Sequence, residues 1–185
     1  TNPDSFDYIY YTYGLQLYKK MPLIEPLEYR VDHQIENFVI AIDTSGSTQG
    51  EIVQNFIAKT YDILTTSDIF AKDMHVVILQ CDAKIQEETV IHNTDELQSY
   101  LRDCTIKGYG GTDFRPVFAR IEELRNAGTL PDLRGLLYFT DGIGEYPKNM
   151  PSYKTAFVML ENQKEMPEVP SWAIQMKVSM EELGR

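Results

Sequence analysis

The chain has 185 residues, 43% of them hydrophobic, and this predicts a single domain with a sizeable core. Its formal charge of −11 would repel a phosphate backbone, and no run of Lys and Arg offsets that charge locally, so we expect no nucleic-acid partner. No apolar run approaches the roughly 20 residues of a membrane helix, and the first residues are polar. We therefore expect a soluble, cytoplasmic domain with no membrane partner.

The two cysteines support the same compartment. Cys81 and Cys104 are too few for a disulfide framework, and each lies within an apolar pattern. We expect both to be free thiols in the core of a protein from a reducing compartment.

The opening segment, residues 1–37, is rich in aromatic side chains, and we expect it to pack on the domain formed by residues 38–185. Its apolar side chains include Phe6, Tyr8, Tyr10, Tyr11, Tyr13, Leu15, Leu17 and Tyr18.

The first half of the domain alternates strands and helices. Phe38 to Ile42 is an apolar run that stops at Asp43, which is typical of a strand buried on both faces of a parallel sheet. Helical spacing of apolar residues predicts a helix over residues 51–64, preceded by a capping box at residues 48–51. Met74 to Leu79 predicts a second buried strand. A turn at residues 81–83 then leads into a more polar edge strand from Lys84 to Ile91.

The second half continues the alternation. Apolar spacing predicts a helix around residues 97–104 and another around residues 114–124, which ends at Gly128. Three more strands are predicted at Leu136 to Thr140, Ala156 to Leu160 and Trp172 to Val178. The whole pattern predicts an α/β, Rossmann-like fold: a mostly parallel central sheet with an antiparallel edge strand, flanked by helices.

Two connections, residues 141–154 and 161–171, are broken by prolines and should not hold full crossover helices. We expect reduced helices near the C-terminus and one sheet face short of cover, which the aromatic opening segment would supply.

Three short polar pieces stand at the ends of predicted elements: residues 43–47, 110–113 and 140–142. In an open α/β sheet, ligands gather at the carboxyl ends of strands where the strand order reverses. Asp43 and Asp141 should converge there, and Gly110 and Gly111 should let the middle loop approach closely enough to deliver Thr112. In an extended loop, the spacing of Asp43, Ser45 and Ser47 would place them on one side. Two carboxylates and three hydroxyls suit a hard cation such as Mg2+.

The pattern Asp-x-Ser-x-Ser, with a later Thr and a later Asp-Gly, resembles the metal-ion-dependent adhesion site of von Willebrand factor A (VWA) domains, including integrin I domains. The resemblance spans roughly residues 38 to 178. It implies that Ser45, Ser47 and Thr112 contact Mg2+ (or Mn2+ or Ca2+) directly, while Asp43 and Asp141 hold the ion directly or through water. It also implies that a protein partner supplies an Asp or Glu to the ion.

A narrower resemblance rests on the tracts at residues 13–29, 40–47, 111–116 and 138–142. These are similar to the carboxy-terminal part of bacterial VWA-like proteins whose amino-terminal half resembles a predicted metallopeptidase. Related proteins often accompany MoxR-type AAA+ ATPases, so the resemblance implies such an ATPase as a partner of this chain.

Other interpretations of the same residues stay open. Asp-Thr-Ser-Gly-Ser could be a plain turn that caps a helix, and Asp113 is better explained by the helix start than by a metal. A metal-dependent hydrolase is the main alternative function, but it needs a general base that the sequence does not show. The three histidines are scattered and form no H-E-x-x-H pair. A purely structural domain beside an upstream peptidase is the third alternative.

Overall fold

The computed structural model describes residues 37–46, 48, 53–54, 56–57, 75–160 and 167–178. Within these ranges the chain forms six strands and two helices, together with helical residues at 53–54 and 56–57. The elements in chain order are β1 (Phe38–Asp43), β2 (Val76–Cys81), β3 (Ile85–Ile91), α1 (Thr94–Asp103), α2 (Arg115–Asn126), β4 (Gly135–Phe139), β5 (Lys154–Leu160) and β6 (Ile174–Val178).

The strands form one sheet in the order β3-β2-β1-β4-β5-β6. Every neighbouring pair is parallel except β2 and β3, so β3 is the antiparallel edge strand that the sequence predicts. The chain moves from β1 to β2 on one side and later returns to place β4 on the other side. The strand order therefore reverses between β1 and β4, and this confirms the predicted α/β fold.

Helix ends follow local sequence signals. The side chain of Asn93 accepts the N–H of Glu96 and caps α1, while Pro116 lies in the first turn of α2. Gly128 has a φ of 75° just beyond α2, a conformation that glycine adopts without strain. The predicted end at Gly128 is therefore confirmed.

The buried strands separate two apolar layers because alternate residues of β1 point to opposite faces. Phe38, Ile40 and Ile42 pack in one layer with Leu97 of α1 and the helical residues Val53, Phe56 and Ile57. Val39 and Ala41 pack in the layer under α2.

The proline-broken connection between β4 and β5 contains no helix, as predicted. The expectation that it leaves the sheet short of cover is wrong on the α2 face. The ring centroid of Tyr146 lies 4.6 Å from that of Phe114 and 5.0 Å from that of Phe157. The ring centroids of Tyr153 and Phe118 lie 6.5 Å apart. The connection therefore covers this face with aromatic side chains in place of a helix.

Several predictions fall outside the described residues. These are the packing of the opening segment over residues 1–36, the position of Ser47, most of the helix over residues 51–64, and residues 161–166 of the last connection. Neither α1 nor α2 has the length of a membrane-spanning helix, and the described residues contain no other candidate.

Candidate metal site at the switch point

A hydrogen bond joins the carboxyl ends of the two central strands. The hydroxyl of Thr140, which follows β4, donates to Oδ2 of Asp43 across 2.6 Å. The same hydroxyl oxygen accepts the N–H of Gly142 at 3.0 Å. Both Asp43 and Thr140 are fully buried, so this contact fixes one carboxylate oxygen at the point where the strand order reverses.

The chain after β1 turns sharply. The N–H of Ser45 donates to Oδ1 of Asp43 at 2.8 Å, and the Thr48 hydroxyl donates to the carbonyls of Asp43 and Ser45 at 2.8 and 3.1 Å. The expected extended loop is therefore wrong, because this turn returns Ser45 to the Asp43 carboxylate. Ser47 lies outside the described residues.

The loop over residues 107–111 is bound to this turn. Thr44 donates its hydroxyl to the carbonyl of Lys107 at 2.6 Å and accepts the N–H of Tyr109 at 2.9 Å. The N–H of Gly46 donates to the carbonyl of Gly110 at 3.2 Å. The second polar piece of the sequence is thus held directly against the first.

Glycine makes this approach possible, though at different positions from those expected. A Cβ on Gly108, whose φ is 137°, would lie 2.3 Å from the Thr44 hydroxyl oxygen, and a Cβ on Gly110 would lie 2.8 Å from Asp82 Oδ2. A Cβ on Gly111 would meet nothing within 4 Å. Gly110 has the predicted role, Gly111 does not, and Gly108 is the residue that the sequence argument missed.

Asp82, at the end of β2, supports the same loop from beneath. Its carboxylate accepts the N–H of Gly110 at 3.1 Å, and each of its two oxygens lies 2.9 Å from the Gln86 amide nitrogen, which donates to them. The backbone carbonyl of Asp82 accepts the N–H of Asp113. Burial raises the pKa of Asp82, but the hydrogen bonds from Gln86, Lys84 and Gly110 outweigh burial and leave the pKa below its ordinary value. We conclude that Asp82 is an ionised structural support.

Thr112 lies against the third loop, which follows β4. A Cβ on Gly144 would be 2.9 Å from the Thr112 methyl group, and the N–H of Phe114 donates to the Glu145 carbonyl at 3.1 Å. Arg115 contacts Asp113 and Glu145, each at 2.7 Å. Asp113 also accepts the N–H of Arg115, so it acts at the helix start, as predicted.

Asp141 follows Thr140 and is 7% exposed. Its Oδ1 accepts the N–H of Ile143 at 3.0 Å in a turn where Gly142 has a φ of 81°. Since Thr140 contacts Asp43 directly, the structure brings Asp141 to the edge that holds Asp43, Ser45 and Thr112.

The amino-acid sequence matches a known family. A family model described as "VWA-like domain (DUF2201)" matches residues 38–179 of the chain. The chain belongs to this family. A search of the curated proteins finds no match.

Solved structures similar to this VWA-like domain share its fold. An aerotolerance-related membrane protein from Bacteroides fragilis matches with a TM-score of 0.53 and 9% identity, over 80% of this chain and 94% of that protein. The SpRpn10 VWA domain matches with a TM-score of 0.53 and 10% identity, over 79% and 89% of the two chains. A von Willebrand factor type A protein from Catenulispora acidiphila matches with a TM-score of 0.55 and 15% identity, over 78% of this chain and 38% of that protein.

Electrostatics at the switch point of the VWA-like domain suit a cation. Burial raises the pKa of Asp43, hydrogen bonds from Thr140 and Ser45 lower it in part, and repulsion from Asp141 raises it further. Asp43 forms no ion pair with a Lys, Arg or His among the described residues. A buried carboxylate without a positive partner is unfavourable, and a bound cation would relieve that cost.

The donor set is mixed. Among the described residues, no group of three or more His, Cys, Asp or Glu side chains could hold a metal ion. A site here therefore requires the hydroxyls of Ser45 and Thr112 beside the two carboxylates, and such oxygen donors fit Mg2+.

Proposed function

We propose that this VWA-like domain binds one divalent cation and uses it to bind a protein partner. The ion is Mg2+, or Mn2+ or Ca2+ in its place, and the partner supplies an Asp or Glu side chain to it. VWA-like folds generally serve protein interaction, and this chain belongs to such a family. The observation that carries the proposal is the buried Asp43 carboxylate, fixed by Ser45 and Thr140 at the switch point.

The roles of the ligands follow from chemistry and from the adhesion-site pattern. Ser45, Ser47 and Thr112 would supply hydroxyl oxygens to the ion. Asp43 and Asp141 would hold it directly or through water. Both Asp43 oxygens already accept hydrogen bonds from the protein, which favours contact through water for this residue.

Neutral ligands explain why such a site would bind an acidic group. Hydroxyl donors do not reduce the charge of the cation, so an open coordination position would attract a carboxylate from a partner. The chain has a formal charge of −11, and an acidic partner would otherwise be repelled. The cation would therefore control whether binding occurs.

The wider setting of the domain is proposed from the sequence resemblance. We propose that the chain acts beside a peptidase-like region of a longer cytoplasmic protein, and that a MoxR-type AAA+ ATPase is its partner. Free thiols at Cys81 and Cys104 suit a reducing compartment.

The hydrolase alternative is not favoured by the surroundings of the site. Two carboxylates at the middle loop are already engaged by the protein: Asp82 accepts hydrogen bonds from Gln86 and Gly110, and Asp113 pairs with Arg115. Neither is free to act as a general base.

An affinity capture experiment in Mg2+ and in chelator tests the proposal. The bait proteins are wild type, Asp43→Ala and Thr112→Val. Valine keeps the shape of threonine and has a methyl group in place of the hydroxyl. Thr155→Val is the matched control, since Thr155 is the second residue of β5 and lies at the amino edge of the parallel strands, opposite the site. In Mg2+, we expect wild type and Thr155→Val to retain one partner, and Asp43→Ala and Thr112→Val to lose it. In chelator, we expect all four proteins to lose it. Equal capture in chelator would contradict the metal-bridged mechanism.

A further inference from the structure

Two exposed apolar side chains stand on the loops that form the candidate metal site. Tyr109 is 55% exposed and Ile143 is 65% exposed. Both are bound to the site through the backbone: Tyr109 donates its N–H to the Thr44 carbonyl, and Ile143 donates its N–H to Asp141 Oδ1. Thr112 lies between their two loops, since it follows residues 107–111 and packs against Gly144.

The conformation of Tyr109 is unusual for a tyrosine. Its φ is 86°, in the left-handed region that a bulky residue rarely adopts. Hydrogen bonds from Thr44 and Gly46 to the loop hold this conformation. Strain of this kind clusters at binding sites, and here the strained residue carries an exposed aromatic side chain on a loop of the candidate site.

The charges around the site restrict what this surface can bind. Asp113 and Glu145 share Arg115, and Lys107 pairs with Glu87. Arg115 and Lys107 are thus already engaged by carboxylates. An acidic side chain of a partner would be attracted most strongly at the cation, and the residues beside it would gain most from uncharged contacts.

We propose that Tyr109 and Ile143 select the residues on either side of the partner's acidic side chain. The inference rests on the proposed function, and it specifies the partner: a protein segment that presents an Asp or Glu flanked by apolar residues. The cation binds the carboxylate, and the two apolar side chains bury its neighbours. Apolar burial of this kind adds affinity that the negative surface would not oppose.

The chain offers a matched control for each position. Ile174 is 43% exposed and begins β6, so it lies at the amino edge of the parallel strands, opposite the site. Met150 is 72% exposed in the connection that leads into the amino end of β5. Neither should affect a partner that is bound at the carboxyl edge.

A displayed peptide library tests the inference. Each peptide carries a fixed central Glu and random neighbours, and wild-type protein selects binders in Mg2+ that are then released by chelator. We expect apolar residues to be enriched next to Glu. A synthetic peptide of the selected sequence should bind the double variant Tyr109→Asn, Ile143→Ser about tenfold more weakly. Asparagine tolerates the left-handed backbone, so the loop is retained.

Binding of the same peptide to Ile174→Ser and Met150→Ser should be unchanged, and equal melting temperatures should show that all variants fold. Chelator-released peptides without apolar neighbours would overturn this inference and leave the proposed function standing. Equal weakening in the control variants would also overturn it. Absence of any chelator-released peptide would overturn both proposals.

Discussion

Thr140 donates its hydroxyl to Asp43 Oδ2 across 2.6 Å and thereby ties the ends of β4 and β1 together. The acceptor is fully buried, and its other oxygen accepts the N–H of Ser45. Three loops meet around this pair. The contact therefore links the stability of the fold to the position of the carboxylate that we propose for metal binding.

Replacing Thr140 by valine should remove this link without changing the shape of the side chain. We expect a loss of about 2 kcal/mol in the free energy of unfolding, because a hydrogen bond to a charged group is lost and the Gly142 N–H is left without its acceptor. Mg2+ affinity should fall as well. Denaturant unfolding and metal titration measure the two effects.

Thr155→Val is the control, because its buried hydroxyl has no hydrogen-bond partner among the described residues. The control should be as stable as wild type or slightly more stable. Similar losses in the two variants would show that the Thr140 contact has no special role.

Gly108→Ala should disturb the loop that delivers Thr112. The added Cβ would lie 2.3 Å from the Thr44 hydroxyl oxygen, and the backbone φ of 137° is strained for alanine. We expect a loss of about 2 kcal/mol in stability, together with weaker metal binding. Gly111→Ala, where a Cβ meets nothing within 4 Å, should leave both unchanged. Equal thermal melting and metal affinity of the two variants would contradict the loop packing described above.

The metal-free protein should lose stability as pH rises, through Asp43. Its folded pKa lies above the ordinary value of 3.8, mainly because of burial, so the folded state binds this proton more tightly than the unfolded state. The stabilising effect of the proton is full below pH 3.8 and is lost as pH rises through the folded pKa.

Asp43→Asn should abolish this loss, because asparagine is never ionised. Asparagine keeps one acceptor oxygen for the Ser45 N–H but cannot also accept the Thr140 hydroxyl, so the variant loses that hydrogen bond at every pH. In chelator, we therefore expect the melting temperature of wild type to fall relative to that of the variant as pH rises from acid to neutral. In Mg2+ at pH 7, wild type alone should gain stability. A difference in melting temperature between the two proteins that does not change with pH in chelator would contradict the proposed cost of the buried carboxylate.

The fold could be predicted because its strands are buried on both faces. Phe38–Asp43 and Gly135–Phe139 are short apolar runs, and their polar ends mark the carboxyl edge of the sheet. The edge strand Ile85–Ile91 is only partly buried, and its mixture of polar and apolar residues indicated an edge position. Each of these signals is local, so one sequence was enough.

The contacts inside the site could not be predicted in the same way. Thr44 binds Lys107 and Tyr109 across more than 60 residues, and nothing in either segment identifies the other. The role of Asp82 depends on its contact with Gly110, and the cover supplied by Tyr146 and Tyr153 depends on tertiary packing. The packing of Phe6 to Tyr18 on the domain stays a prediction, and a melting experiment on a chain without residues 1–18 would test it.

Calorimetric titration of Mn2+ into wild type and Asp141→Asn tests the central claim most directly. Asp141 follows β4 in a turn, and asparagine preserves the oxygen that accepts the Ile143 N–H while removing the negative charge. The account predicts one Mn2+ per wild-type chain and a loss of at least about tenfold in affinity for the variant, with Mg2+ competing for the wild-type site. No binding to wild type, or equal affinity in the two proteins, would contradict it.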